Sequence, residues 1–200
     1  MDGAGPVAAP ALIGPNAILQ LLPVIERAGG RALRARLLAA AGIAEVPSGA
    51  EMIDEAPAAR LHQALRREVP DLAPALAAEA GRRTGDYILA NRIPPGARAV
   101  LRLLPARFGA PILARAVARH AWTFAGSGGF RLVSTTPPVF EIADNPVVRG
   151  EVSDTPLCHW HAAVFARLFA ALVHRDATCR ETACCARGDP ACRFEVSWRA

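Results

Sequence analysis

Four of the chain's five cysteines fall within sixteen residues, in CRETACCARGDPACRF at 179–194, together with Glu181. The fifth, Cys158, lies about a helix's length upstream. Thiolates and a carboxylate are ligands for a divalent cation such as zinc, but thiols close in space can also form a disulfide or pack as small apolar groups. Spacing sorts these alternatives only in part. If Gly188 is the centre of a turn, facing residues of the flanking strands have numbers summing to about 376, so Cys184 meets Cys192 across a hairpin. That pair is close enough for a shared metal or a strained disulfide. A helix beginning near Cys158 can bring a third thiolate, and Glu181 a carboxylate oxygen. Three sulfurs and one oxygen complete a tetrahedral shell of the closed, structural kind. In a regular strand Glu181 and Cys184 point to opposite faces, so this set demands a bulge or irregular turn near Ala183. No CxxC spacing is present, and on spacing alone metal ligation and plain burial of the thiols both stay open.

The rest of the composition narrows the setting. The cysteine count is odd and MDGAGPVAAPAL, at the start, has neither the basic region nor the apolar run of a signal peptide, so a reducing, cytoplasmic environment is expected. The longest apolar stretch, Ala162 to Val173, is interrupted by Arg167 and falls short of the roughly 20 residues that cross a bilayer. No transmembrane segment is therefore expected. All 23 basic residues are arginine, and the formal net charge is +5. They are spread singly or in pairs among apolar residues, without the interleaved aromatics of a nucleic-acid-binding stripe. The charge reads as solvated helix faces, and nucleic acid is not expected as a partner. A homodimer, a peripheral contact with a membrane, and pairing of a few arginines with a small acidic ligand are compatible with this composition.

The elements that must position the cysteines follow from periodicity. Helical spacing with proline or glycine punctuation marks helices at about 16–28, with Asn16 as N-cap, and at 31–41, 57–68, 71–92 (opened by Asp71), 96–104 and 106–123. Alternation then predicts strands at 129–135 and 138–143 joined across Thr136-Pro137, a helix over 156–174, and a closing hairpin at 177–186 and 191–198 that turns at RGDP. This order predicts an α+β fold in which several helices pack on an antiparallel sheet. Residues 1–13 read as a loose arm. Residues 14–200 read as a single domain, helical over 14–125 and sheet-bearing with the cysteine hairpin over 126–200.

Cys158, Glu181-Thr-Ala-Cys184 and Ala191-Cys192-Arg193-Phe194, with the Gly188-Asp189 turn between, resemble the C-terminal signature of the 4-vinyl-reductase domain family. GDYILANRIP at 85–94, ahead of a helical pair, is also similar, and the resemblance spans about residues 14–198. It implies a structural zinc ion held by Cys158, Glu181, Cys184 and Cys192. It also implies helices on a four-stranded antiparallel sheet, similar to Bet3-type trafficking subunits and aromatic-sensor domains, with a small-molecule pocket between the layers. Cys179 and Cys185 match no ligand position, although Cys185 can substitute if the register slips by one. His159 and His161 flank Cys158, either as groups near the metal or as an ordinary helix-start pair.

The same resemblance implies bacteriochlorophyll biosynthesis, a magnesium tetrapyrrole of the divinyl protochlorophyllide type as ligand, and pathway enzymes as partners. A vinyl reductase needs a hydride or electron donor. The chain has no GxGxxG after a strand, no P-loop and no iron–sulfur spacing, and GSGG at 126–129 precedes a strand instead of opening a helix. No catalytic residue is assigned, and a carrier or accessory role is favoured over independent reduction or a sensing or scaffold module. A pocket for a flat, carboxylate-edged macrocycle needs apolar walls and an axial contact. Trp122, Phe124, Phe130, Trp160 and Phe165 are candidates for the walls, His120 or His161 for the axial contact, and Tyr87 and Arg92 for a rim. Core packing is the ordinary alternative for each aromatic residue.

Overall fold

A computed structural model describes residues 11–199 of the chain. Two short strands, β1 (Leu12–Ile13) and β2 (Ile53–Asp54), pair with each other. The helices are α1 (Asn16–Leu19), α2 (Leu22–Ala40), α3 (Glu55–Glu68), α4 (Ala73–Asn91), α5 (Pro95–Leu103), α6 (Ala106–Arg119) and α7 (His159–Leu172). The main sheet is built from β3 (Gly129–Thr135), β4 (Pro138–Ala143), β5 (Thr178–Ala183) and β6 (Ala191–Ser197) in the antiparallel order β3-β4-β6-β5. The expected α+β architecture is therefore present, and no helix among the described residues is long and apolar enough to cross a membrane.

Boundaries differ from periodicity where backbone chemistry intervenes. The helix expected over 16–28 is divided, because Pro23 has no N–H to return to Leu19 and the chain tightens between α1 and α2. Asn16 is not a cap; it is the first helical residue, and its Oδ1 accepts from Gln20 Nε2 at 3.1 Å. Gly29 and Gly30 break α2 as expected, with Gly30 at φ +70°. Asp71 is not a cap either, since α4 starts at Ala73 with Pro74 in its first turn, where a missing N–H costs nothing. By contrast Asp54 does cap α3, accepting from Ala56 N–H at 2.9 Å. Of the arm expected over 1–13, residues 1–10 lie outside the described residues. Leu12 and Ile13 form β1, with Ile13 in the core. Strands of two residues are too short to show alternation.

The position of α7 decides where any site can be. It lies between α4 on one side and the sheet on the other, and its interface with α4 is the most extensive between any two elements. Towards the sheet it presents Phe165 and Phe169, which pack with Phe140 of β4, while Phe165 also meets Phe194 of β6 at 5.4 Å between ring centroids. These four rings are fully buried, and each removes enough apolar surface from water to contribute about 2–3 kcal/mol.

Towards α4 the approach is limited by backbone. Gly81 and Gly85 stand where a methyl group would fall 2.3 Å from Trp160 O and 2.7 Å from Arg167 Cγ, respectively. Small buried residues at Ala77, Ala80, Gly81, Thr84 and Gly85 make this crossing possible. The Trp160 indole N–H donates to Thr84 Oγ1 at 3.2 Å, which in turn donates to Ala80 O at 2.9 Å. Gly81→Ala is therefore expected to lower unfolding free energy by about 1–3 kcal/mol, the overpacking cost exceeding the roughly 1 kcal/mol gain in helix propensity. Gly96→Ala in α5, where a methyl group meets nothing, should leave stability unchanged or raise it slightly. Urea denaturation of the two variants measures the contrast.

Candidate functional site

The closing hairpin begins in one register and ends in another. Residues 178 to 181 of β5 pair with 197 to 194 of β6, whereas Ala183 pairs with Arg193, so one extra residue is taken up at Thr182. This bulge falls where the ligand set requires it, next to Ala183. It turns Cys184 to the same buried side as Glu181, and both side chains are withdrawn from solvent. Cys192 comes from β6, and Cys158 occupies the N-cap position of α7. The three sulfurs and a carboxylate oxygen of Glu181 all lie within 4.8 Å of one another.

The internal distances distinguish the alternatives. Cys158 Sγ is 3.4 Å from Cys192 Sγ, and Cys192 Sγ is 3.9 Å from Cys184 Sγ. A disulfide requires about 2.05 Å, and all five cysteines are free thiols. Sulfurs bound at about 2.3 Å around a tetrahedral ion stand about 3.8 Å apart, which the two separations bracket. The surrounding groups are donors aimed at sulfur or carboxylate. Asn145 Nδ2 donates to Cys158 Sγ at 3.3 Å, Cys185 N–H to Cys192 Sγ at 3.4 Å, and Cys158 N–H to Glu181 Oε2 at 2.7 Å. Asp189 Oδ2 accepts from Cys184 N–H at 2.8 Å, closing the turn.

Electrostatics give the same picture of a site short of positive charge. Burial pushes the Glu181 carboxyl up to about 8, and its Oε1 is buried without a hydrogen-bond partner. Burial likewise raises Cys158. Cys184 is driven strongly down, because the Cys158 and Cys192 thiols both donate to its sulfur. One thiolate shared among three sulfurs, beside a carboxylate with an unpartnered oxygen, is a donor set that can hold a thiophilic divalent cation. All four valences of a tetrahedral ion would be taken by protein, so the arrangement can cross-link but offers no open position for a substrate.

The remaining candidates separate into three groups. Trp160, His161 and Phe165 are buried on α7, and Phe124 and Phe130 sit half-buried beside them, with Phe124 meeting Phe130, Phe165 and His161 at 5.4, 5.6 and 6.2 Å between centroids. His120 and Trp122 are exposed, because α6 ends at Arg119 and the chain continues as a 3-10 turn over 121–123 instead of the expected longer helix. His120 Nδ1 contacts only its own helix, at Ala116 O. Tyr87 and Arg92 lie apart from the aromatic group, with the Arg92 guanidinium 5.9 Å from the Tyr87 ring centroid. His159 is half-buried, and Cys179 and Cys185 lie outside the four-residue set. Asn145 and Asp189, which support the cluster, are legible in the sequence only as turn residues. His62 carries no signal there at all.

His62 and His161 are buried imidazoles held neutral. Each Nε2 lies 3.1 Å from a carbonyl, Ala17 O and Phe124 O respectively, so Nε2 carries the proton and donates, leaving Nδ1 a lone pair without a partner. Burial lowers His62 to about 3, helped by Arg66, and His161 to about 4. Both folded values lie below the ordinary value of 6.5, so the unfolded chain takes up protons first as the pH falls. The stability they contribute is complete above about pH 6.5 and is lost towards pH 4, at up to ~1.4 kcal/mol per pH unit for each group. Unfolding curves between pH 7.5 and 4.5 should show this decline, and His62→Gln should make it shallower although it lowers stability at pH 7.

Comparison with known proteins follows these features. Residues 138–197, from β4 through β6 and containing all four members of the cluster, match the 4-vinyl-reductase domain. Over 184 residues, 92% of this chain and 89% of the other, the sequence is 60% identical to the bacteriochlorophyll synthase 23 kDa chain of Cereibacter sphaeroides. Among solved structures, an Fe(II) unliganded H-NOX protein from K. algicida is similar with a TM-score of 0.56 at 13% identity, covering 94% of this chain and 97% of that one. The phenol-responsive sensory domain of the transcription activator PoxR is similar with a TM-score of 0.51 at 16% identity, covering 84% and 90%. At such low identity the last two likenesses speak to the fold alone.

Proposed function

The chain belongs to the family of the bacteriochlorophyll synthase 23 kDa chains, and from that premise we propose that it is a cytoplasmic, tetrapyrrole-binding accessory protein of bacteriochlorophyll biosynthesis. In this reading it carries divinyl protochlorophyllide-type intermediates to pathway enzymes, and a structural zinc ion fixes its closing hairpin. The observation that carries the reading is the 60% identity along nearly the whole chain.

Two features of the chain support it. The aromatic group between α7 and the sheet is closed on its inner side by Phe140 and Phe165 and has a half-buried rim at Phe124 and Phe130, so a flat apolar ligand would enter by parting that rim. His161 faces the same rings with a neutral imidazole whose Nδ1 lone pair has no partner, the state needed for an axial contact to magnesium. His120, exposed and bonded within its own helix, is the weaker of the two candidates. Zinc, held by Cys158, Glu181, Cys184 and Cys192, would supply a cross-link between the start of α7 and both strands of the hairpin. With every ligand position filled by protein it would take no part in reducing a vinyl group.

Titrating the full chain into divinyl protochlorophyllide should shift the pigment's absorption, and His161→Phe should weaken that binding at least tenfold while leaving bound zinc unchanged. An unaltered pigment spectrum at high protein concentration overturns the carrier reading. Turnover of the pigment with NADPH and no other protein would instead establish a reductase. Binding of small phenols without affinity for tetrapyrrole would favour a sensing module. Elemental analysis is expected to find about one zinc per chain, and Cys184→Ser should lose both the ion and several degrees of melting temperature, since binding of a structural metal is coupled to folding.

A further inference from the structure

The arginines are not distributed as the acidic residues are. Between Asp86 and Glu141 there are 54 residues with seven arginines and no aspartate or glutamate, while the other 146 residues carry 16 arginines against 18 acidic side chains. The whole excess of positive charge therefore belongs to this segment. Five of its arginines, at 98, 102, 107, 115 and 119, lie on α5 and α6, and none of these five makes a salt bridge among the described residues. Elsewhere arginines are paired routinely, as in Arg34 with Glu26, Arg66 with Glu151, Arg149 with Asp144 and Arg167 with Asp86.

The same two helices expose large apolar side chains. Leu103 is 85% exposed, Val100 57%, Phe108 51% and Ile112 49%. At 100° per residue, Val100 and Leu103 share a strip of α5 turned away from Leu101, that helix's one buried residue. Phe108, Ile112, Arg115 and Arg119 share a strip of α6 by the same rule. The helices are joined by Leu104 and Pro105, where proline holds Leu104 extended and ends α5. Leu103 and Phe108 thus flank the tip of a helical hairpin, with the Arg107 guanidinium 4.7 Å from the Phe108 ring centroid.

We propose that the α5–α6 hairpin docks the protein on an anionic lipid surface, its exposed leucine, valine, phenylalanine and isoleucine entering the headgroup–acyl boundary and its unpaired arginines meeting lipid phosphates. A basic helical surface with bulky apolar side chains and no acidic residue is suited to such an interface. A second copy of the chain is a poor occupant, because a two-fold contact through this face would set ten arginines together with no carboxylate on either hairpin. The apolar side chains stand out at a tip and do not line a groove for a partner's side chains. This inference is independent of the zinc and pigment readings.

The test is flotation of the full chain with vesicles. At 0.1 M salt, binding to vesicles of phosphatidylglycerol and phosphatidylcholine (about 3:7) should be at least tenfold tighter than to phosphatidylcholine alone, and 0.5 M salt should weaken it several-fold. Arg115→Glu/Arg119→Glu should reduce binding by about tenfold or more, at roughly fivefold for each basic charge near the surface. Leu103→Glu/Phe108→Glu should abolish it, with the far-ultraviolet spectrum and melting temperature unchanged, and Leu72→Glu, at an exposed apolar position at the start of α4, should behave as the parent. Equal affinity for neutral and anionic vesicles, or full binding by Leu103→Glu/Phe108→Glu, overturns the proposal. So does absence of vesicle binding together with self-association or capture of an acidic protein that the same double substitution removes, an outcome that assigns the face to a protein partner.

Discussion

Three thiols and a carboxylate drawn into one dry volume less than five ångströms across form a group that cannot all ionise without a compensating positive charge. The C-terminal half of the molecule is arranged around that constraint. The bulge at Thr182 turns Glu181 and Cys184 to one side, β6 brings Cys192 opposite, and the first turn of α7 brings Cys158 from 23 residues before Glu181. Groups that support the sulfurs come from further away still, with Asn145 in the loop after β4 and Asp189 in the hairpin turn. Backbone and side-chain donors are thus committed to holding anions close, which is sensible only where a cation or a shared proton balances them.

The helix that begins at this group runs through the centre of the fold. Because α7 is wedged between α4 and the sheet, its residues are sorted by side. Trp160 engages Thr84, while Phe165 and Phe169 engage the sheet. His161 lies only three residues beyond Cys158, so whatever fixes the sulfur also fixes the position of the imidazole and the ring of Phe165 one turn later. The bare backbone of Gly81 and Gly85 sets how near α4 can come, and the aromatic layer sets how far the sheet must stay. Structural stiffness and the character of the aromatic layer are in this sense the same property.

Much of this is legible in the sequence because hairpins obey arithmetic. Placing Gly188 at the turn gives the facing pair Cys184 and Cys192, and the parity of Glu181 and Cys184 calls for an irregularity that the change of register at Thr182 supplies. Asn145 and Asp189 could not be assigned, because a turn-forming side chain does not announce its acceptor or donor across the fold. His62 stays hidden because one histidine on a helix carries no period of its own; its burial depends on α1 and α7 closing over it. Trp122 shares its residue type with the other aromatics, but it follows the point where α6 tightens into a 3-10 turn and is exposed. The basic segment is written in the sequence and yet easily passed over, since scanning for clusters of arginine misses a stretch defined by the acidic residues it lacks.

The bulge in the last hairpin also bears on how such a sequence can change over time. A strand repeats every two residues, so one added residue between Glu181 and Cys184 would restore regular alternation and turn one of them outward, and one removed residue would do the same. The interval ETAC is therefore inherited as a unit of fixed length, although Thr182 and Ala183 within it have no tie to the sulfurs. The loop between β4 and α7 has no such parity to keep. Related chains should then diverge freely in the length of that loop while preserving the count of residues across the bulge, so that spacing, more than identity, is the trait under selection in this stretch.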